Sequence, residues 1–356
     1  MNETQRPVSR LAYLCLQPAE PGDTAFTHVE GMVDALRRLE FEIDVFRPDP
    51  GSARRGLAGR LRESLTVTRQ VVTGAAGADA LYVRLHPVAL PAVRWAKRRG
   101  KRVVVEVNGP PEDWLMAWPA LRSAEPVLRR MLGAVLRRCD AAVTVTHGLA
   151  AWVTAEAGEE LHVEVVPNGV DPRLFRPGAD VPRGLPDQYA VFVGELAPWQ
   201  GVEDLLAAAT HPDWPEGLVL VVVGSGAMSG AVEHVAHSHP TRVRMLGRAD
   251  HGEIPGILCG AAVALVSSQD RAGVGIAPLK LFEALACGAP VVATNVPDIG
   301  RYFAGPLVDP GDIAGWAREV KGVVSAPRAS LSRADGADHS WDARARSVAR
   351  ILTCGS

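Results

Sequence analysis

The richest chemistry in the chain is packed into residues 271–294, RAGVGIAPLKLFEALACGAPVVAT. A polar loop with Gly273 and Gly275 runs into a helix that the pattern starts at about Pro278, and proline at a helix start is pre-shaped for it and wastes no donor. The backbone N–H groups from Gly275 to Leu279 would then surround the positive end of the helix dipole, which is an anion site. Glu283, one turn in, can accept two hydroxyls of the kind a vicinal diol offers, and Lys280 shares its turn. The plainer reading of the same residues is a surface helix with an i,i+3 Lys–Glu pair, worth only a few tenths of a kcal/mol.

Two other glycine turns invite comparison. AVFVGELAPWQGVED (190–204) reads as a buried strand, a turn at Gly194 and a loop entering a helix, yet the loop carries Glu195 and Gln200 and no cation. LVLVVVGSGAMSGAVEHV (218–235) has Gly224 and Gly226 in the manner of a dinucleotide fingerprint, but the third glycine, Gly230, comes one place late. No acid closes the next strand, where Arg248 stands instead. Nicotinamide binding is therefore not expected, and these glycines are assigned to a tight strand-to-helix turn.

The elements that must hold these loops alternate along the chain. Short β-branched runs (11–17, 41–48, 80–86, 102–108, 141–148, 162–169) are separated by helical patterns such as Val29, Met32, Val33, Leu36 and Leu39. A second set follows from Tyr189, after the Pro- and Gly-rich, aperiodic segment 168–188. The reading is α/β: two tandem Rossmann-like, doubly wound parallel-sheet domains facing a cleft, with ligands at the carboxyl ends of the strands. The expected division is 1–180, 181–335 and a C-terminal helix, 336–356, that turns back towards the first domain. That helix carries Trp341, Ala345, Val348 and Ile351 on one face.

Composition narrows the function. The 356 residues exceed one ordinary core, 47% are apolar, and the formal net charge is −2, which gives no footprint for nucleic acid. Five scattered cysteines form no CxxC and no Cys/His pair at metal spacing, which fits a reduced, cytoplasmic protein without structural zinc. No apolar run approaches the roughly 20 residues of a membrane span, and the N-terminus is too short and mixed for a secretory signal. The basic segments 53–70 and 94–102 read first as solvated helix faces and second as a weak contact with anionic lipid or a polyanion.

With these residues in view, LFEALACGAPVVATNVPDI resembles the donor-binding helix and following strand of the GT-B glycosyltransferases, specifically the large retaining family 4. VVPNGVDPRLFRP (165–177), VFVGELAPWQGVEDLLAAA (191–209), VVVGSGAM (221–228) and LGRADHGEIPGILCGAAVALVSS (246–268) agree, in the family's order. In the first half, AFTHVEGMVDALRRLEFEIDVF (25–46) and RVVVEVNGPPED (102–113) do too. The resemblance implies a nucleotide-sugar, most often a UDP-sugar, bound by the second domain. Glu283 would hold the ribose, and backbone from Val274, Gly275 and Ile276 to Leu279 would meet the pyrophosphate. The turn at Gly194 would border the donor, and the backbone around Gly247 and Arg248 would contact the base. It also implies an acceptor on the first domain and no metal or other cofactor, and the chain has no DxD triplet.

Two departures stand out. Many members carry two carboxylates eight positions apart, and here the first position is Gly275; many read VGRL…KG where this chain reads VGEL…QG. The leaving diphosphate still needs a cation, so Lys280 and Arg271, with Arg248 behind them, are expected to replace the missing pair. On the acceptor side Asn108 and His28 are the candidates, His147 a further one, and Glu106 a weaker one, read as pointing to the other sheet face. The leading expectation is a metal-independent transfer of a hexosyl group, glucosyl or N-acetylglucosaminyl in type, to a hydroxyl of a small molecule or natural product. A lipid carrier or polysaccharide acceptor, a nucleotide-sugar 2-epimerase and a catalytically degenerate nucleotide-sugar-binding partner are the alternatives.

Overall fold

In the computed structural model, residues 8–19, 23–51, 56–110, 112, 119–269, 273–327 and 339–354 are described. The chain forms two compact units: Met1–Pro167 with Trp341–Ser356, and Asn168–Ser340. Residues 168–180 thus belong with the second unit, and the C-terminal helix with the first.

The first unit runs β1 (Arg10–Leu14), α1 (Thr24–Arg38), β2 (Glu42–Phe46), α2 (Leu57–Gly74), β3 (Ala80–Arg84), α3 (Leu90–Arg98), β4 (Arg102–Val107), α4 (Glu125–Leu136), β5 (Ala141–Thr144), α5 (His147–Ala157) and β6 (His162–Val165). Its strands make one parallel sheet in the order β2-β1-β3-β4-β5-β6. Consecutive valines of β4, Val103 to Val105, are all fully buried. A strand buried on both faces reads as a continuous apolar run because helices cover both sides. The order reverses between β1 and β3, which makes that the switch point of this sheet.

The second unit runs β7 (Tyr189–Val193), α6 (Val202–Thr210), β8 (Val219–Val223), α7 (Ser229–Ser238), β9 (Val243–Gly247), α8 (Ile254–Gly260), β10 (Val263–Val266), α9 (Leu279–Ala286), β11 (Val291–Thr294), α10 (Ile299–Tyr302), β12 (Leu307–Val308) and α11 (Ile313–Ser325). Its parallel sheet has the order β12-β11-β10-β7-β8-β9. The switch point lies between β7 and β10, so the loops after those two strands flank the position where doubly wound sheets bind ligands. The core under them is built on Phe192, Leu220, Leu265 and Trp316, each at most 1% exposed.

The last helix, α12 (Trp341–Thr353), closes the first unit. Trp341, Ala345, Val348 and Ile351 are buried. Trp341 lies so close to α1 that a Cβ at Gly31 would meet its ring at 2.6 Å, which explains a glycine in mid-helix despite its cost of about 1 kcal/mol there. The same helix buries Arg344, whose guanidinium bonds the Glu106 carboxylate at 2.6 Å and the Pro167 carbonyl at 2.7 Å, and also reaches the Val166 carbonyl. Arg344 therefore fastens the returning helix to the segment by which the chain leaves this unit.

Removing one partner of a buried ion pair leaves the other charge uncompensated, at about 3–5 kcal/mol. Arg344→Ala is expected to lower the urea midpoint of the first unit by a corresponding amount, while the exposed neighbour change Arg346→Ala stays within about 0.5 kcal/mol. Equal midpoints for the two variants would contradict the anchoring role.

Candidate active site

The loops at the second unit's switch point are stitched together before any ligand is considered. The Gly194 N–H donates to Val223 O at 3.0 Å, and Leu196 exchanges bonds with Ser225 and Met228. A Cβ at Gly224 would lie 1.8 Å from Gly194 O, and one at Gly226 would lie 2.6 Å from Leu196 O. Those glycines are where two loop backbones press together, in keeping with the turn reading and with no dinucleotide role. Beyond them, Pro198–Gln200 form a short turn, closed by Gly201 at φ +66°. Ser267, just past β10, holds this turn by donating its hydroxyl to Gln200 O at 2.7 Å.

Lys280 reaches into that knot. From the first turn of α9 its Nζ donates to Gln200 Oε1 at 2.6 Å and to Ser267 O at 2.8 Å, and it sits 4.3 Å from the centroid of the Phe192 ring. A Cβ placed on Gly194 would be 4.0 Å from it. The ammonium of α9 thus occupies the loop after β7, the loop whose own sequence has no cation. Burial pushes the Lys280 amine down to about 7, against an opposing pull from Glu283. Burial likewise pushes the Glu283 carboxyl up to about 7, with Lys280 opposing. No ion pair within 4 Å joins the two among the described residues, so the plain i,i+3 surface pair is not what these side chains form.

The remaining donor-side candidates divide. Gly275 (φ +76°) and Ile276 lead towards Pro278, which takes the cap position so that α9 begins at Leu279. The Ile276 N–H is directed at Pro297 O, 3.4 Å away, so it is not one of the N–H groups left for an anion. Val274 and Leu279 flank the same loop, and Asn168 Nδ2 braces it through Ala277 O at 2.6 Å. Arg248 is exposed just beyond β9, next to Gly247, whose carbonyl accepts from Gly224. Arg271 lies outside the described residues.

In the first unit the candidates separate in a different way. His28 is 2% exposed, its Nε2 lies 2.6 Å from Glu106, and its ring meets Trp341 edge-on at 5.1 Å. Burial pushes the His28 ring down to about 4, so at neutral pH it is the uncharged partner of Glu106. Glu106, fully buried, also accepts from the Tyr13 hydroxyl at 3.0 Å. Burial would push its carboxyl up, but His28, Arg344 and Arg84 together hold it well below the usual range. The structure thus places His28, an acceptor-side candidate, with its ring enclosed and its Nε2 engaged by Glu106. Glu106, the weaker candidate, is the hub of an anchoring network with His28 and Arg344, the latter a residue that sequence reasoning passed over. Asn108 itself follows β4 with both amide atoms buried and without a hydrogen-bond partner among the described residues. Buried unpaired polar atoms are rare and cost about 1–3 kcal/mol each. His147 is exposed at the start of α5. No cluster of three or more His, Cys, Asp or Glu side chains suited to a metal occurs among the described residues, and none of their helices is long and apolar enough to cross a membrane.

Comparison with known proteins meets this geometry from both halves. Residues 25–174 match the model of Glycosyltransferase Family 4, and residues 187–325 that of Glycosyl transferases group 1. Glycogen synthase of Mycobacterium tuberculosis is 28% identical over 285 residues, covering 67% of this chain and 66% of its own length. D-inositol 3-phosphate glycosyltransferase 2 of Catenulispora acidiphila is 33% identical over 222 residues, covering 54% of this chain and 50% of its own. The chain thus spans half to somewhat under two thirds of these relatives. Among solved structures, Anabaena HepE in complex with UDP and glucose superposes with a TM-score of 0.69 at 18% identity, over 98% of this chain and 100% of that one. Two parallel doubly wound sheets, with glycosyltransferase family matches over residues 25–174 and 187–325, place this chain among the glycosyltransferases of GT-B type.

Proposed function

We propose that the chain is a retaining, metal-independent glycosyltransferase acting in the cytoplasm. It moves a hexosyl group, glucosyl or N-acetylglucosaminyl in type, from a nucleoside diphosphate sugar to a hydroxyl of a small-molecule or natural-product acceptor. UDP is the favoured carrier, since a neighbour of the same fold is known in complex with UDP and glucose. The observation that carries the reading is the Lys280 ammonium held against Gln200 and the Ser267 carbonyl at the switch point. A cation so placed, with little water around it, is suited to the charge that grows on a departing diphosphate, and such stabilisation is usually the largest catalytic contribution.

Each remaining residue has a role in this scheme. Glu283 accepts from the ribose hydroxyls. Loop N–H groups of Val274, Gly275 and Leu279 meet the diphosphate, and the backbone at Gly194 and beside Arg248 borders the donor. Asn108 orients the acceptor hydroxyl. The bond from the anomeric carbon to the diphosphate oxygen breaks as the acceptor oxygen attacks from the same face, and the acceptor proton passes to the leaving phosphate. The protein contributes position and electrostatics and no base of its own.

A lipid-linked acceptor is the second reading, and one feature favours it. Along α2, Leu57, Leu61 and Leu65 are 38%, 48% and 42% exposed at i,i+4 spacing, with Arg60 and Arg62 beside them. Such a face suits weak attachment to an anionic membrane surface. Sedimentation with phosphatidylglycerol vesicles, lost on the double change Leu61→Glu and Leu65→Glu, would support it. Equal partition with phosphatidylcholine vesicles, or none with either, would leave the soluble acceptor standing.

Calorimetry with UDP and GDP, followed by hydrolysis of the matching sugar nucleotides without acceptor, tests the main reading. Lys280→Gln is expected to lower turnover on the order of a hundredfold at little cost in stability. Glu283→Ala is expected to weaken nucleotide binding by about tenfold or more. The double variant Gln200→Lys with Lys280→Gln, which returns the cation to the loop, should recover turnover above Lys280→Gln alone. Near-normal turnover in Lys280→Gln would overturn the assignment, and nucleotide binding without any turnover would favour a non-catalytic binding partner.

A further inference from the structure

Gly275 has no side chain, yet the space beside it is not empty of charge. A Cβ built there would lie 2.4 Å from Oδ2 of Asp298 and 3.0 Å from the Pro297 carbonyl. Gly275 holds φ +76°, and Asp298, on the loop after β11, holds φ +70°. A non-glycine residue in the left-handed region is uncommon, and such strain gathers at functional positions. The Asp298 side chain is 4% exposed, although it belongs to a loop. The two loops are joined where the Ile276 N–H points at Pro297 O, and β10 is tied to β11 by the Ser268 N–H donating to Thr294 Oγ1 at 3.0 Å.

A carboxylate against this loop would repel a diphosphate, so its use must lie with a neutral part of the ligand. Hydroxyl groups are what a carboxylate accepts from most strongly, since its bonds are charge-assisted. Resting on the donor-site reading above, we infer that Asp298 is the carboxylate that binds hydroxyls of the donor's sugar, occupying from β11 the place left by the absent side chain of Gly275. Glycine at 275 then follows directly: any larger residue would collide with the carboxylate that serves the sugar. Arg301, whose side chain is 61% exposed, places its Nε 3.3 Å from Asp298 Oδ1.

Binding of UDP, UDP-glucose, UDP-N-acetylglucosamine, GDP and GDP-mannose to wild type, Asp298→Asn and Arg301→Ala separates the possibilities. Asparagine tolerates the left-handed conformation, so Asp298→Asn keeps the backbone. Wild type should bind at least one sugar nucleotide more tightly than its bare diphosphate. Asp298→Asn should lose that margin by about tenfold while its diphosphate affinity stays within about twofold. Arg301→Ala should keep the margin. An unchanged margin in Asp298→Asn, no margin in wild type, or an equal loss in Arg301→Ala would overturn the inference and leave the donor-site reading intact. Failure of wild type to bind any of the five would instead overturn the donor-site reading itself, and this inference with it.

Discussion

An ammonium drawn away from water has to find oxygen or π density to replace it, and the second unit is organised around meeting that need for Lys280. The Gln200 amide, the Ser267 carbonyl and the Phe192 ring come from three separate places in sequence: the turn after β7, the end of β10, and β7 itself. Together they join the turn closed by Gly201, the end of β10 and the start of α9 at the switch point. Even so the amine is held at about 7, so the site carries a group ready to gain a full charge when an anion arrives. The neighbouring Glu283 is raised by the same burial, which makes the pair sensitive to whatever displaces the solvent around it.

The first unit solves a different problem. Its buried Glu106 is met by His28, Tyr13 and Arg344, and Arg344 arrives on a helix that follows the entire second unit in sequence. The same guanidinium caps the Val166 and Pro167 carbonyls, the last residues before the chain departs. One cation thereby neutralises a buried charge and secures both passages of the chain at this unit. Asn108, two residues beyond Glu106 and just past the end of β4, keeps its amide unengaged among the described residues.

Much of this was legible in the residues, and the failures have physical causes. Alternation of β-branched runs with 3.6-period patterns gave both doubly wound sheets, because strands covered on both faces must be apolar throughout. The apolar face of α12 was readable from Trp341 to Ile351, but Arg344 on that face was not: a charge on an apolar stripe signals a partner without saying which. Glu106 is undervalued by the sequence, since nothing local shows that an arginine 238 positions later closes on it. The burial of His28 against Glu106 is hidden from the sequence for the same reason. Of Lys280 and Arg271, the residues expected to replace the cation missing from GELAPWQG, Lys280 meets Gln200 of that loop, a matter of side-chain reach across two loops. Asp298 beside Gly275 left only a faint trace, an acid after proline in a loop whose left-handed backbone no sequence pattern announces.

The account turns on Lys280 charging as a diphosphate binds. With its amine held at about 7, the lysine is largely neutral at pH 8 in the free protein, and an adjacent diphosphate raises its affinity for a proton. Glu283 is already ionised at that pH and contributes little. The measurement is the heat of UDP binding at pH 8 in two buffers of different ionisation enthalpy, for wild type and for Lys280→Met. The account predicts uptake of up to about one proton per UDP by wild type and none by the variant. Identical proton uptake in the two proteins, or none in either, would contradict it.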